Sequence, residues 1–492
     1  MAYIACVQPF YLLSLVSDDT TQALLILVGI QVVYLGLLVV WIVMQKRPPV
    51  ATLAWIFGLA LLPVLGFAIY FLFGPRRISK TRMRRLRARN WMAEASDMRT
   101  ANTSGQYAGI PPHVLPVARL GTLVSEMPVA ACSQVKLLKN GADTFEALLA
   151  AIREARHHIH LEYYIFHPDA LGRPFLEALT ERAKAGVKVR LLLDAVGSSR
   201  MRRRHLKALR KAGGEVAFFH KVRLFSFKPR LNFRTHRKLV VVDGHTGFFG
   251  GLNITQEEDE RLSAKAYRDT HVQLGGSAVR WLQTVFWEDW NYATGSTEIE
   301  GEYFPPHTQA QPYSVQIIPS GPDLRFKAIR DVYFSAICTA QNRVWISTPY
   351  FVPDEAMLTA LTNAALRGVD VRILVPKRSD SWIVTLASRS YYDELLLAGV
   401  RVFEYLPRLL HAKTLLVDHA LSVIGTANMD VRSFELNFEI SALFYGEEMA
   451  QALAQCFVED MKSSSALPRF RGKRPFGQRF LESFARLLSP VL

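Results

Sequence analysis

His236 and Lys238 followed by Asp243, and His411 and Lys413 followed by Asp418, spell the pattern HxKxxxxD twice. With Lys and Asp each near one position in twenty, a given His completes the pattern by chance roughly once in 400. The 13 His of the chain therefore give about 0.03 accidental copies, so the pair is a duplication. A chain built this way must fold as two related halves, and two copies of one reactive motif point to a single site assembled from both.

The surroundings repeat too. HLEYYIF (160–166) and AKAGVKVRLLLD (183–194) precede the first motif; VWISTPYFVP (344–353) and ALRGVDVRILVP (365–376) precede the second. Gly250-Gly251-Leu252-Asn253 follows the first and Gly425-Thr426-Ala427-Asn428 the second. Apolar strands at 158–166 and 187–194 alternate with a helical stretch at 174–185. The order returns as helix-like 355–367 and strand-like 369–375. The fold class is therefore α/β, with a sheet in each half and helices outside. The halves are placed at 131–303 and 313–463, with the Pro-rich 304–312 as their seam and 90–130 as a linker into the first.

At 492 residues, half of them apolar, the chain fills more than one core. Residues 22–44 and 51–73 carry no charge, and each is long enough to cross the roughly 30 Å hydrocarbon layer. They predict a transmembrane helical hairpin over 22–73, preceded by a short segment, 1–21. Arg76, Arg77, Lys80, Arg82, Arg84, Arg85, Arg87 and Arg89 crowd its exit within the basic segment and linker 74–130. Asp18 and Asp19 precede its entry, so both ends and the catalytic region are expected on the cytoplasmic side.

The net charge of +16 fits nucleic acid or anionic lipid, and beside two spans it points to acidic headgroups rather than nucleic acid. Cys6, Cys132, Cys338 and Cys456 show no close pairing, which suits a reducing compartment and argues against a disulfide framework or a zinc site. The basic tail 464–492 has Phe476, Phe480, Phe484 and Leu488 at every fourth position. That spacing fits an interfacial membrane helix or a packing helix.

His and Lys two apart on a strand project to one face, where both meet one ligand. Asp243-Gly244 reads as the turn of a hairpin returning through 246–250. The Asp of each motif counts with its catalytic residues, yet it follows His by seven positions, an odd number, so a structural role is expected for Asp243 and Asp418. Two imidazoles suit double displacement at a phosphodiester, one attacking phosphorus and the other moving protons. Lys238, Lys413, Asn253 and Asn428 would bind the phosphate oxygens. No metal or other cofactor is required, and no carboxylate cluster to hold a metal is evident.

On these motifs the chain resembles the phospholipase D superfamily over most of 131–463. With the two spans, HRKLVVVDGHTGFFGGLN and HAKTLLVDHALSVIGTANMDVRSFELNFE make it similar to the bacterial cardiolipin synthases. That resemblance implies two fused phospholipase D-like α/β/α halves sharing one active site in the bacterial inner membrane. It implies transfer of a phosphatidyl group from one phosphatidylglycerol to another, releasing glycerol, through a phosphohistidine. It also implies an acid downstream of each motif that orients an imidazole, for which Asp269 in YRDTH and Glu439 in LNFE are suitably placed. His236 is nominated as nucleophile on family habit alone. The alternative within the same residues is a phospholipase D-type phosphodiesterase that passes the phosphatidyl group to water. Phosphatidylethanolamine as donor and the oligomeric state stay open.

Overall fold

A computed structural model of the chain describes residues 18–45, 49–62, 66, 70, 107–220, 233–296, 301–307, 312–472 and 474–491. The chain divides into two compact units, Met1–Arg76 and Arg77–Leu492. In the first, helices Asp18–Val43 and Pro49–Leu61 bury Leu38, Ile42 and Leu59 with Tyr70, whose ring stands edge-on to Trp41 and Trp55. Several side chains in the first turns of the longer helix lie outside the described residues. Among the described residues no helix is long and apolar enough to cross a membrane. The basic run 76–89 and residues 90–106 of the expected linker also lie outside them.

The second unit is built on strands β1 (Ala130–Cys132), β2 (Gln134–Lys139), β3 (His158–Tyr163), β4 (Lys188–Asp194), β5 (Glu215–Phe219), β6 (Lys238–Val242), β7 (Thr246–Gly250) and β8 (Thr270–Gly275). Then follow β9 (Tyr313–Ser320), β10 (Arg343–Ser347), β11 (Phe351–Val352), β12 (Asp370–Pro376) and β13 (Arg401–Tyr405). The last are β14 (Thr414–Val417), β15 (Leu421–Gly425), β16 (Met429–Asp430), β17 (Glu439–Tyr445) and β18 (Ser464–Ala466). Of the two large sheets, one runs β2-β8-β7-β6-β3-β4-β5 and the other β1-β9-β17-β15-β14-β10-β12-β13-β18, while β11 pairs with β16 alone. Without its two edge strands the second sheet repeats the first position for position. In each, three parallel strands are followed by antiparallel neighbours.

Both motifs lie at the same place in this repeat. Asp243 (φ +53°) and Gly244 (φ +69°) make the turn between β6 and β7, where positive φ at both central residues matches the twist of the flanking strands. Alternation along β6 then decides which core each residue enters. Val240 and Val242 pack beneath helices Asn140–Glu154 and Gly172–Lys184, while Leu239 and Val241 enter a layer shared by both sheets. Leu416, Ile424, Ile440 and Ala442 reach that layer from the second sheet, with helices Ala278–Thr294 and Glu447–Lys462 closing it.

One expected boundary is corrected. Residues 107–130 do not form a linker: helix Leu115–Ser125 buries Val117, Ala118 and Val124 with Ile318, Ile329 and Val332 of the second half. β1 then pairs antiparallel with β9, Ala130 opposite Val315, so the first half's own sheet starts at Gln134. These apolar residues find a partner far along the chain, which local periodicity does not register.

Arg237, between the motif's His and Lys, is fully buried in the shared layer. Its guanidinium pairs with Asp289 and donates to the carbonyls of Glu439 (3.0 Å) and Ser320 (3.2 Å), so it ties the halves together. Removing one member of a buried ion pair costs about 3–5 kcal/mol. Arg237→Met is therefore expected to lower unfolding stability by about that much in denaturant titration of the detergent-solubilised protein. A change below about 1 kcal/mol would contradict this role.

Candidate active site

Lys238 opens β6 and Lys413 immediately precedes β14, with a His two residues before each. Both ammonium groups turn back on their own motif. Lys238 Nζ donates to the His236 carbonyl (2.7 Å) and Lys413 Nζ to that of His411.

Each motif is zipped to the other half. The His236 N–H donates to the Phe438 carbonyl (2.8 Å), and the Phe438 N–H donates to the Arg234 carbonyl (2.8 Å). At the matching place the His411 N–H donates to the Arg268 carbonyl (2.7 Å), and the Arg268 N–H to that of Leu409 (2.9 Å). The residue after each zip is an acid. Glu439 thus reaches His236 Nδ1 at 3.0 Å, and Asp269 reaches His411 Nδ1 at 2.7 Å. Both carboxylates are fully buried.

A carboxylate only accepts, so each Nδ1 carries the proton and leaves the Nε2 lone pair free. Burial, then the charge of Lys413, pushes His411 down to about 4. Burial also lowers His236, against the raising effect of Glu439. Burial opposes ionisation of Asp269 and Glu439, but Lys413 with His411, and His236 with Lys238, outweigh it and hold both carboxyls low. Burial brings Lys238 down to about 7 and lowers Lys413. Lys413 lowers His236 and Lys238 lowers His411, so the two motifs form one electrostatic cluster.

The cluster is not symmetric. The Thr426 hydroxyl donates to Glu439 (2.5 Å) and Asn437 Nδ2 adds a bond at 3.2 Å. At the equivalent place in the first half stands Gly251, where a Cβ would lie 2.2 Å from an Asp269 oxygen. The shorter Asp fits only because that position lacks a side chain. Asn253 donates from Nδ2 to Glu258 Oε1 (2.9 Å), whereas the Asn428 backbone N–H donates to the Ser433 hydroxyl (3.2 Å). Burial, then the charge of Asp269, raises Glu258 to about 8 and so favours its neutral form.

Two members of the motifs need correction as catalytic residues. Asp243 accepts from the backbone N–H groups of Arg156, His157 and His158 (2.8–2.9 Å). Asp418 accepts from those of Gln341, Asn342 and Arg343 (2.7–3.1 Å). Each carboxylate fastens the start of the neighbouring strand, β3 or β10, at the far end of its motif strand from the His. The reason is the odd spacing and the left-handed turn that follows the strand.

Comparison with known proteins shows the family to which the chain belongs. The family model described as "Cardiolipin synthase, PLD-like domain" matches residues 148–290 and 333–461, and "Phospholipase D-nuclease N-terminal" matches 32–75. A cardiolipin synthase of Geobacillus kaustophilus is 41% identical over 95% of this chain and 93% of its own length. A probable cardiolipin synthase of Bacillus subtilis is 37% identical over 92% of this chain and 90% of its own. The chain belongs to the bacterial cardiolipin synthases of the phospholipase D superfamily. In fold it is similar to the crystal structure of a phosphatidylserine synthase of Haemophilus influenzae, with a TM-score of 0.58 and 16% identity, covering 76% of this chain and 100% of that one.

Several groups around this cardiolipin synthase family site escaped the sequence reading. Glu258 follows Asn253 by five residues, as Ser433 follows Asn428, and aligning the halves beyond GxxN would have exposed that pair. Tyr267 lies 5.5 Å from His411. Arg268 pairs with Asp460 at 2.8 Å and bonds the Asp269 carbonyl, as Arg237 does that of Glu439. No carboxylate cluster was expected, yet donor atoms of Glu258, Asp269 and His411 lie within 4.8 Å of one another. The Lys413 ammonium, 3.6 Å from Asp269, opposes a cation there.

A phosphate-like anion reverses the balance that lowers Lys238 and both His, raising all three. Groups that rise through the ambient pH bind protons. Vanadate binding near neutral pH is therefore expected to take up protons, read by calorimetry in buffers of differing ionisation enthalpy, with less uptake in Lys238→Met. Proton release on binding would contradict the electrostatic description.

Proposed function

We propose that this site makes cardiolipin by moving a phosphatidyl group from one phosphatidylglycerol to the terminal hydroxyl of another, with release of glycerol. The observation that carries the reading is the pair of imidazoles, each with Nδ1 held by a carboxylate of the other half and Nε2 free. In the first step His236 Nε2 attacks phosphorus; a P–N bond forms and the P–O bond to the glycerol headgroup breaks. His411, protonated on Nε2 once the anionic donor is bound, gives that proton to the departing oxygen. In the second step the incoming hydroxyl loses its proton to His411 Nε2, its oxygen bonds to phosphorus, and the P–N bond breaks. Asp269 and Glu439 stabilise each imidazolium in turn. Lys238, Lys413, Asn253 and Asn428 hold the non-bridging oxygens, where charge must be balanced without a metal.

Names of relatives identical at about two positions in five over nearly the whole chain support the same activity. Purified protein in phosphatidylglycerol bilayers is expected to give cardiolipin and glycerol in equal amounts by mass spectrometry. His236→Ala and His411→Ala are each expected to lower the rate about 10⁴-fold. Phosphatidic acid with glycerol as the main products would overturn the transfer in favour of hydrolysis.

We also propose that 22–44 and 51–73 cross the bacterial inner membrane as a hairpin, with the catalytic region in the cytoplasm and no nucleic acid as partner. The uncharged runs, the basic exit and the match over 32–75 support this. External protease on spheroplasts is expected to leave 90–492 intact, and digestion of that region from outside would sink the topology.

A further inference from the structure

The C-terminal helix, Phe476–Leu487, sits on the catalytic unit with its polar side inward. Its buried residues are Glu482 and Ala485. Glu482 pairs with Arg474 and lies 3.5 Å from Arg471, and both Arg also reach Asp393 on helix Trp382–Leu397. Arg486 lies over the Tyr391 ring at 4.3 Å, and the Tyr391 hydroxyl bonds Ser489 at 2.9 Å. The helix is thus docked by ion pairs and hydrogen bonds.

Its apolar side faces outward. Phe476, Phe480, Phe484 and Leu487 are 81%, 56%, 54% and 74% exposed, and the three rings stack in a row at 6.2 and 6.4 Å. Leu481 and, ahead of the helix, Phe470 are exposed beside them in sequence. A helix normally turns such a stripe into the core, and a continuous exposed patch marks a binding surface. The exposed charges of the helix itself have one sign. The helix has a single acid, Glu482, which is buried and paired, whereas Arg479 and, ahead of the helix, Arg469 are exposed; Arg486 is half-exposed and lies 3.8 Å from Glu394 of the neighbouring helix.

We propose that this face is a membrane-contact surface that inserts its Phe row into the headgroup and acyl boundary of a bilayer rich in anionic phospholipid. An aromatic and aliphatic stripe on a helix whose exposed charges are Arg matches that surface in both polarity and charge. A second copy of the chain would meet the same Arg residues with its own and repel them. The contact gives the catalytic unit its own hold on the bilayer, separate from the N-terminal runs. The inference rests on the phosphatidyl-transfer reading only for the bilayer as the source of substrate.

Two measurements on the full-length protein test it. The triple variant Phe476→Ser, Phe480→Ser, Phe484→Ser is assayed on phosphatidylglycerol in vesicles and on short-chain phosphatidylglycerol below its micelle concentration. Vesicle turnover is expected to fall about tenfold while turnover of the dispersed substrate stays within about twofold. Unchanged vesicle turnover, or an equal fall on both substrates, would overturn the proposal. No turnover of the dispersed substrate by the unaltered protein would instead count against the transfer reading.

Hydroxyl-radical footprinting of the unaltered protein in phosphatidylglycerol nanodiscs needs no variant to fold. Phe476, Phe480 and Phe484 are expected to oxidise about fivefold more slowly than Phe326 and Phe334, which are exposed elsewhere. The protection should weaken in phosphatidylcholine discs. Equal oxidation, or protection only when two copies share one disc, would overturn the assignment, the latter in favour of a chain-to-chain contact.

Discussion

Two carboxylates exchanged between the halves, Glu439 to His236 and Asp269 to His411, are the constraint on which the rest of the structure depends. Neither half can set the tautomer of its own imidazole, so neither holds a complete site. The exchange is enforced by backbone bonds one residue away, at Phe438 and Arg268, and by the buried guanidinium groups of Arg237 and Arg268 bound to the carbonyls of the two acids. The shared apolar layer brings the sheets together, and these polar contacts fix the register at which they meet. A buried polar network satisfied in this way specifies one arrangement of two otherwise similar halves.

The same network explains how a duplicated chain supports unequal roles. A Glu with Thr426 beneath it and an Asp with Gly251 beneath it are two solutions to the same distance, and they do not tune the two imidazoles alike. His411 stands beside Lys413, Asp269 and the buried Glu258, and burial with the Lys charge takes it to about 4. His236 has a carboxylate held by side chains, with Thr426 and Asn437 also donating to Glu439, whereas Asp269 takes the Thr270 backbone N–H at 2.7 Å beside the Lys413 ammonium. Divergence of the acids and their supports, with the HxK elements kept alike, suits a reaction in which one imidazole bonds to phosphorus and the other carries protons.

Much of this was legible in the residues. The HxKxxxxD pair pointed to two related halves, the His–x–Lys spacing placed its residues along a strand, and Asp-Gly marked the hairpin. The odd spacing from His to Asp pointed Asp243 and Asp418 away from the reacting groups. Other features depend on contacts between distant segments. An acid downstream of each motif was recognisable, but nothing local told that Asp269 serves His411 or that Glu439 serves His236. Residues 107–130 read as Gly- and Pro-containing sequence without steady periodicity, and only the second sheet supplies the edge and core that order them. Glu258 lay in an acidic stretch, QEEDE, that resembles an ordinary solvated turn until the fold buries it.

The central claim is the crosswise pairing, and a set of double-mutant cycles on unfolding free energy tests it most directly. His236→Ala, His411→Ala, Asp269→Asn and Glu439→Gln are combined in all four His–acid pairs. Cross-half pairs, His236 with Glu439 and His411 with Asp269, should be non-additive by more than about 0.5 kcal/mol, with the same-half pairs additive within about 0.5 kcal/mol. Coupling confined to His236 with Asp269 and His411 with Glu439 would contradict the account.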